Sequence, residues 1–148
     1  MKDLGIIETW KHRFGRADYS HGRDLNDSGV VVGNAAAGIQ KGWFANHAFS
    51  EAGQGMVDLG TLGKKELFSQ AFSINATGDV IGTASLNGSY LSFLYTDNFG
   101  MVELEPLITN VPANTNITAR QINNAGEISG TISLASGFVA AFLLTPNP

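Results

Sequence analysis

The sequence predicts an all-β chain of three four-stranded antiparallel repeats, and three observations predict it. One ten-residue pattern occurs three times, as DLNDSGVVVG at 24–33, SINATGDVIG at 73–82 and QINNAGEISG at 121–130. The starts are 49 and 48 residues apart, a period typical of stacked repeat architectures. Two further patterns recur in the same order: HAFS (47–50), SFLY (92–95) and AFLL (141–144), then MKDLG (1–5), MVDLG (56–60) and MVELE (101–105). Finally, 18 of 148 residues are glycine, well above the ordinary ~7%, which points to many tight turns. The chain therefore reads as one domain, 1–148, of three units at 1–55, 56–100 and 101–148.

Each unit supplies four strand-sized pieces. The first ends at an asparagine, as in QAFSIN (70–75) and TARQIN (118–123). The turn follows at Asn26–Gly29, Asn75–Gly78 and Asn123–Gly126. Asparagine suits the first position because its side chain bonds the backbone two residues on, and glycine three residues later takes a positive φ without a Cβ clash. The second piece is VVVGNA, DVIGTA or EISGTIS, rich in β-branched residues. The third is WFANHAFS, YLSFLYT or GFVAAFLLT, and a short turn leads to the fourth, the M-x-[DE]-L strand. Only KKELFSQAFS (64–73) competes as a helix, and it lies between repeated strand patterns. Alternation along the strands groups Leu25, Ile74 and Ile122, then Phe49, Phe93 and Phe142, then Met1, Met56 and Met101, then Leu4, Leu59 and Leu104, as equivalent core positions.

Composition narrows the function. Apolar residues at 43% and charged residues at 15% exclude a disordered chain. A net charge of −4 argues against a nucleic-acid binder held by a basic surface. There is no cysteine, hence no disulfide or thiolate chemistry, and no apolar run long enough to span a bilayer. The N-terminus, MKDLGIIETWKHR, lacks a signal-peptide core, so the expected location is cytoplasmic, or extracellular if a leader has been removed. His12, His21 and His47 show no paired metal-ligand spacing, and neither a nucleophile elbow nor a phosphate loop occurs. No metal, cofactor or enzymatic activity is expected. Asp3, Asp58 and Glu103 stand at equivalent places. They either line a channel, where carboxylates could serve a hydrolase, or sit on outer strands and satisfy turn amides; the second is the expectation.

The pattern A-x-x-I-N-x-x-G-x-[VI]-x-G, then His47-Ala48-Phe49, then MVDLGTLG (56–63) resembles the bacterial HAF-type extracellular repeat family. The resemblance covers nearly the whole chain and is closest in the second repeat; the other units carry LSF and AAF in place of HAF. It implies propeller-like blades of about four strands and no catalytic residues.

Propellers ordinarily have 4–8 blades. Three blades leave a centre unfilled, whereas two chains supply six. The last unit lacks its fourth strand, and residues 1–7 resemble one. The expectation is a homodimer completing a six-bladed ring, with residues 1–7 of each chain pairing with 138–145 of the other. A β-trefoil or β-prism monomer is the alternative.

One segment breaks the repeat. Residues 8–23 concentrate Trp10, Phe14 and Tyr19 with Lys11, His12, Arg13, Arg16 and Arg23. Aromatics among arginines suit stacking on sugars or capture of an anionic ligand, and binding residues favour loops on rigid scaffolds. The competing reading is packing or an interface. The expected function is a non-enzymatic interaction or ligand-binding scaffold, with a lectin-like carbohydrate-binding module as the alternative and a channel-carboxylate hydrolase behind it.

Overall fold

A computed structural model describes residues 1–7, 19–40, 42–112 and 115–147. It is all-β, with three antiparallel sheets. The first comprises β1 (Ser20–Leu25), β2 (Val31–Gln40), β3 (Trp43–Glu51) and β4 (Met56–Gly60) in sequential order. The second repeats this with β5 (Ser69–Ile74), β6 (Val80–Leu86), β7 (Ser89–Thr96) and β8 (Gly100–Glu103). The third has β9 (Thr115–Ile122), β10 (Ile128–Leu134) and β11 (Val139–Leu144). Each sheet closes with the M-x-[DE]-L strand where one is present, so the first two sheets straddle 55/56 and 100/101. KKELFSQAFS forms a turn and then β5, not a helix; one short 3-10 helix, Glu105–Leu107, follows β8.

The asparagine turns form as the sequence predicts. Asn75 Oδ1 accepts the N–H groups of Thr77 (3.1 Å) and Asp79 (2.9 Å), and Gly78 takes φ +89°. Asn26 and Asn123 make the same pair of bonds. In the second and third turns the acid after the glycine also receives the asparagine Nδ2, at 2.9 Å from Asp79 and 2.7 Å from Glu127.

Every first strand carries one extra residue, Arg23, Phe72 or Arg120, skipped by the register to the second strand. Such a bulge pushes the chain toward its partner. The residue opposite is the second glycine of the repeated pattern. A Cβ on Gly82 would overlap the Gln70 carbonyl and stand 2.7 Å from the Phe93 ring; Gly33 and Gly130 are crowded likewise by the carbonyls of His21 and Thr118. The I-x-G and HAF patterns are therefore two halves of one contact, glycine against phenylalanine across paired strands (Gly82↔Phe93).

The sheets pack in series. One cluster joins the first to the second through Val32, Ala48 and Leu59 against Ala71, Ile74, Val80 and Phe93. Another joins the second to the third through Ile81, Leu94 and Leu104 against Ala119, Ile122, Ile128 and Phe142. No such cluster joins the first to the third among the described residues. A trefoil or prism would gather all three units around one axis, so this serial arrangement departs from that alternative.

Polar links repeat beside the apolar ones. Asp24 Oδ2 accepts from Ser73 Oγ (2.8 Å) and Ile74 N–H (3.0 Å), Asn26 Nδ2 donates to the Asn75 carbonyl (3.0 Å), and Ala76 N–H donates to Asn124 Oδ1 (2.8 Å). These bonds hold the three asparagine turns side by side. The second hairpin of each sheet therefore ends at the opposite rim.

Two expectations need correction. Leu25 is 65% exposed, although Ile74 and Ile122 are buried. The latter two pack on a preceding sheet, and among the described residues no sheet packs before the one that carries Leu25. Met1, expected in the core, belongs to residues 1–7, which join no sheet of their own chain. They lie on the first sheet instead, with Ile7 buried among Ala35, Ala37, Ala45 and Phe49, while Met1 is exposed.

Candidate functional site

Of the residues singled out in the sequence, Trp10, His12, Arg13, Phe14 and Arg16, with Lys11, lie outside the described residues. Tyr19 and Arg23 are described, and both are engaged with the scaffold. Tyr19 donates its hydroxyl to Asn46 Oδ1 at 3.0 Å, its ring lies 5.5 Å from that of His21, and partial burial pushes its phenol up from the usual value. Arg23 is the bulge residue of β1. Its guanidinium reaches across to β5, with Nε 3.0 Å from the Gln70 side-chain oxygen in the amide orientation that satisfies both groups. The equivalent bulge residue Arg120 lies over the Phe72 ring at 5.1 Å and bridges to the preceding sheet, where Arg23 bridges to the following one. Arg23 thus contributes to the contact between the first and second sheets.

The histidine of the HAF pattern is buried on β3, and the aspartate of the next pattern stands beside it on β4. Asp58 accepts from His47 Nδ1, its oxygens 2.8 and 3.0 Å away, and its Oδ1 also accepts the Gly60 N–H at 2.7 Å. Asp3 accepts the Gly5 N–H in the same way, at 3.0 Å. These two carboxylates hold turn amides, as expected of outer positions. His47 Nε2 is buried and has no hydrogen-bond partner among the described residues. No group of three or more metal-ligating side chains converges among the described residues. Replacing Asp58 by alanine removes the partner of a buried imidazole and of an amide at once. We expect a loss of about 2 kcal/mol, read as a lower urea midpoint, with Asp58→Asn retaining part of it.

A cleft of about 290 Å³ opens between the first and second sheets at the asparagine-turn rim, lined by Asn26, Ser50, Ile74, Thr77, Tyr95 and Asp97 among others. The Asn26 amide and the Thr77 hydroxyl are already committed to turn bonds, which leaves the cleft few groups to orient a ligand.

The opposite rim differs. At the tip of each second hairpin a positive-φ glycine, Gly42, Gly88 or Gly137, is followed within two residues by an exposed aromatic. Trp43 is 71% exposed and Phe44 stands beside it, Tyr90 is 64% exposed and Phe138 59%. Tyr90 is braced edge-on by Phe68, ring centres 5.2 Å apart. The sequence carries this signal as Gly-Trp-Phe, Gly-Ser-Tyr and Gly-Phe-Val. It escapes notice because core phenylalanines lie only a few residues further along the same strands.

No helix among the described residues is long and apolar enough to cross a membrane. Comparison with protein-family models, with curated proteins and with solved structures finds no match.

Proposed function

We propose that the chain is a non-enzymatic interaction scaffold, a propeller-type arc of HAF-like repeat sheets that presents an aromatic rim to a partner. The observation that carries this reading is the repetition of exposed aromatics at one rim, Trp43 and Phe44, Tyr90, and Phe138, one set per sheet. A soluble scaffold gains nothing in stability from large apolar side chains held in water, and such side chains on rigid hairpins are typical anchors of binding surfaces. The His47–Asp58 pair and the Asp3–Gly5 bond have structural partners, which favours the scaffold over a hydrolase built on these carboxylates.

The second reading is a carbohydrate-binding module. Exposed Trp and Tyr rings have flat apolar faces with a polar edge, the form that stacks on sugar rings. A glycan array separates the two readings: selective retention of one sugar class supports the module, and an empty array leaves the scaffold. In either case Trp43→Ala with Tyr90→Ala is expected to weaken binding of the identified partner at least tenfold, about 1.4 kcal/mol. Because both side chains are exposed, the melting temperature should stay within about 2 °C. A variant that binds as wild type would remove the rim from the argument.

A further inference from the structure

We infer that residues 1–7 of one chain add as a fourth strand to β11 of a second copy of this chain, so that two copies close a six-sheet ring; this goes beyond the proposed scaffold function. In the first two sheets the third strand is flanked by an M-x-[DE]-L strand in one register. Phe49 pairs with Asp58, Ser50 with Val57 and Glu51 with Met56; Phe93 pairs with Glu103, Leu94 with Val102 and Tyr95 with Met101. In the third sheet β11 is the edge strand, and Leu143, the counterpart of Ser50 and Leu94, is 62% exposed. Its outer backbone groups form an open template for another strand.

Residues 1–7 have both the sequence and the mounting of the missing strand. Met1, Asp3 and Leu4 match Met56, Asp58 and Leu59. Asp3 accepts the Gly5 N–H and the Gly5 carbonyl accepts Ser20 Oγ at 2.8 Å, as Asp58 accepts the Gly60 N–H and the Gly60 carbonyl accepts Ser69 Oγ. The second set couples the outer strand of one sheet to the first strand of the next. The first set is the same junction, and among the described residues no sheet precedes it. Residues 1–7 thus carry the trailing half of a sheet-to-sheet junction, and β11 carries the leading half. Within one chain the two halves lie on opposite sides of the second sheet, so a second copy brings them together. The repeat register then pairs Asp3 with Phe142, Lys2 with Leu143 and Met1 with Leu144 across the two chains. Two such junctions give six sheets, within the ordinary range of closed rings.

The chain has no cysteine, so the register can be read directly. Light scattering on the unmodified 148-residue chain is expected to give the mass of two chains. Lys2→Cys with Leu143→Cys should oxidise to an interchain disulfide. Lys2→Cys with Ala141→Cys, displaced by about 7 Å along the strand, should cross-link about tenfold less. A mass of one chain at about 100 μM, a disulfide formed only within a chain, or equal cross-linking by the two pairs would overturn the inference. The rim variants Trp43→Ala and Tyr90→Ala should leave the mass unchanged, which keeps this test separate from that of the binding surface.

Discussion

Gly82→Ala is expected to destabilise the protein by about 3 kcal/mol, at the upper end of the penalty for overfilling a packed site. The new methyl would meet the Gln70 carbonyl, which is backbone and held by the bulge, and the Phe93 ring, which is fully buried. Neither can withdraw without breaking the β5–β6 register or opening the cluster between the first two sheets. The control is Gly22→Ala on β1. There the added Cβ would lie 3.4 Å from Val31 Cγ1, an ordinary contact, and φ is not positive. Its urea midpoint should stay near that of the wild type. If the two variants unfold together, the close approach at the bulge is not what requires glycine in the repeated pattern.

Phe93→Ala should cost about 4 kcal/mol, the cost of deleting a large side chain from a closed core. Phe142→Ala, at the same repeat position, should cost about half as much, because its environment is more open. Phe93 packs in the cluster between the first and second sheets, whereas Phe142 is partly exposed and lies on the sheet whose edge strand is open. Chemical denaturation of the two variants gives the difference without reference to any ligand. It should shrink if the chain dimerises through β11, because the added strand would cover Phe142. Measurement at two protein concentrations checks that coupling.

The asparagine turns, the order of strands within each sheet and the alternation that buries Phe49 and Phe93 could all be read from the sequence. Each depends on residues close in the chain: an Asx bond spans two to four residues, and a hairpin joins neighbours. The structural role of His47 was also foreseeable in kind, since a lone histidine among strands more often bonds than binds metal. Its partner Asp58 stands out in the sequence as a repeated carboxylate, but their adjacency depends on the β3–β4 register.

What only the tertiary structure decided is how equivalent positions come to differ. Leu25, Ile74 and Ile122 share one place in the repeat, yet only the last two are buried. Arg23, grouped by sequence with the basic aromatic segment, lies on the bulge of β1 and spans to the next sheet. Gly33, Gly82 and Gly130 looked like ordinary strand residues and are opposite those bulges. The physical reason is the same throughout. A repeat pattern encodes what each unit contributes to its neighbours, but burial is fixed by whether a neighbour is there. Among the described residues no sheet packs before the first or after the third, so equivalent residues meet water there and apolar cores in the middle.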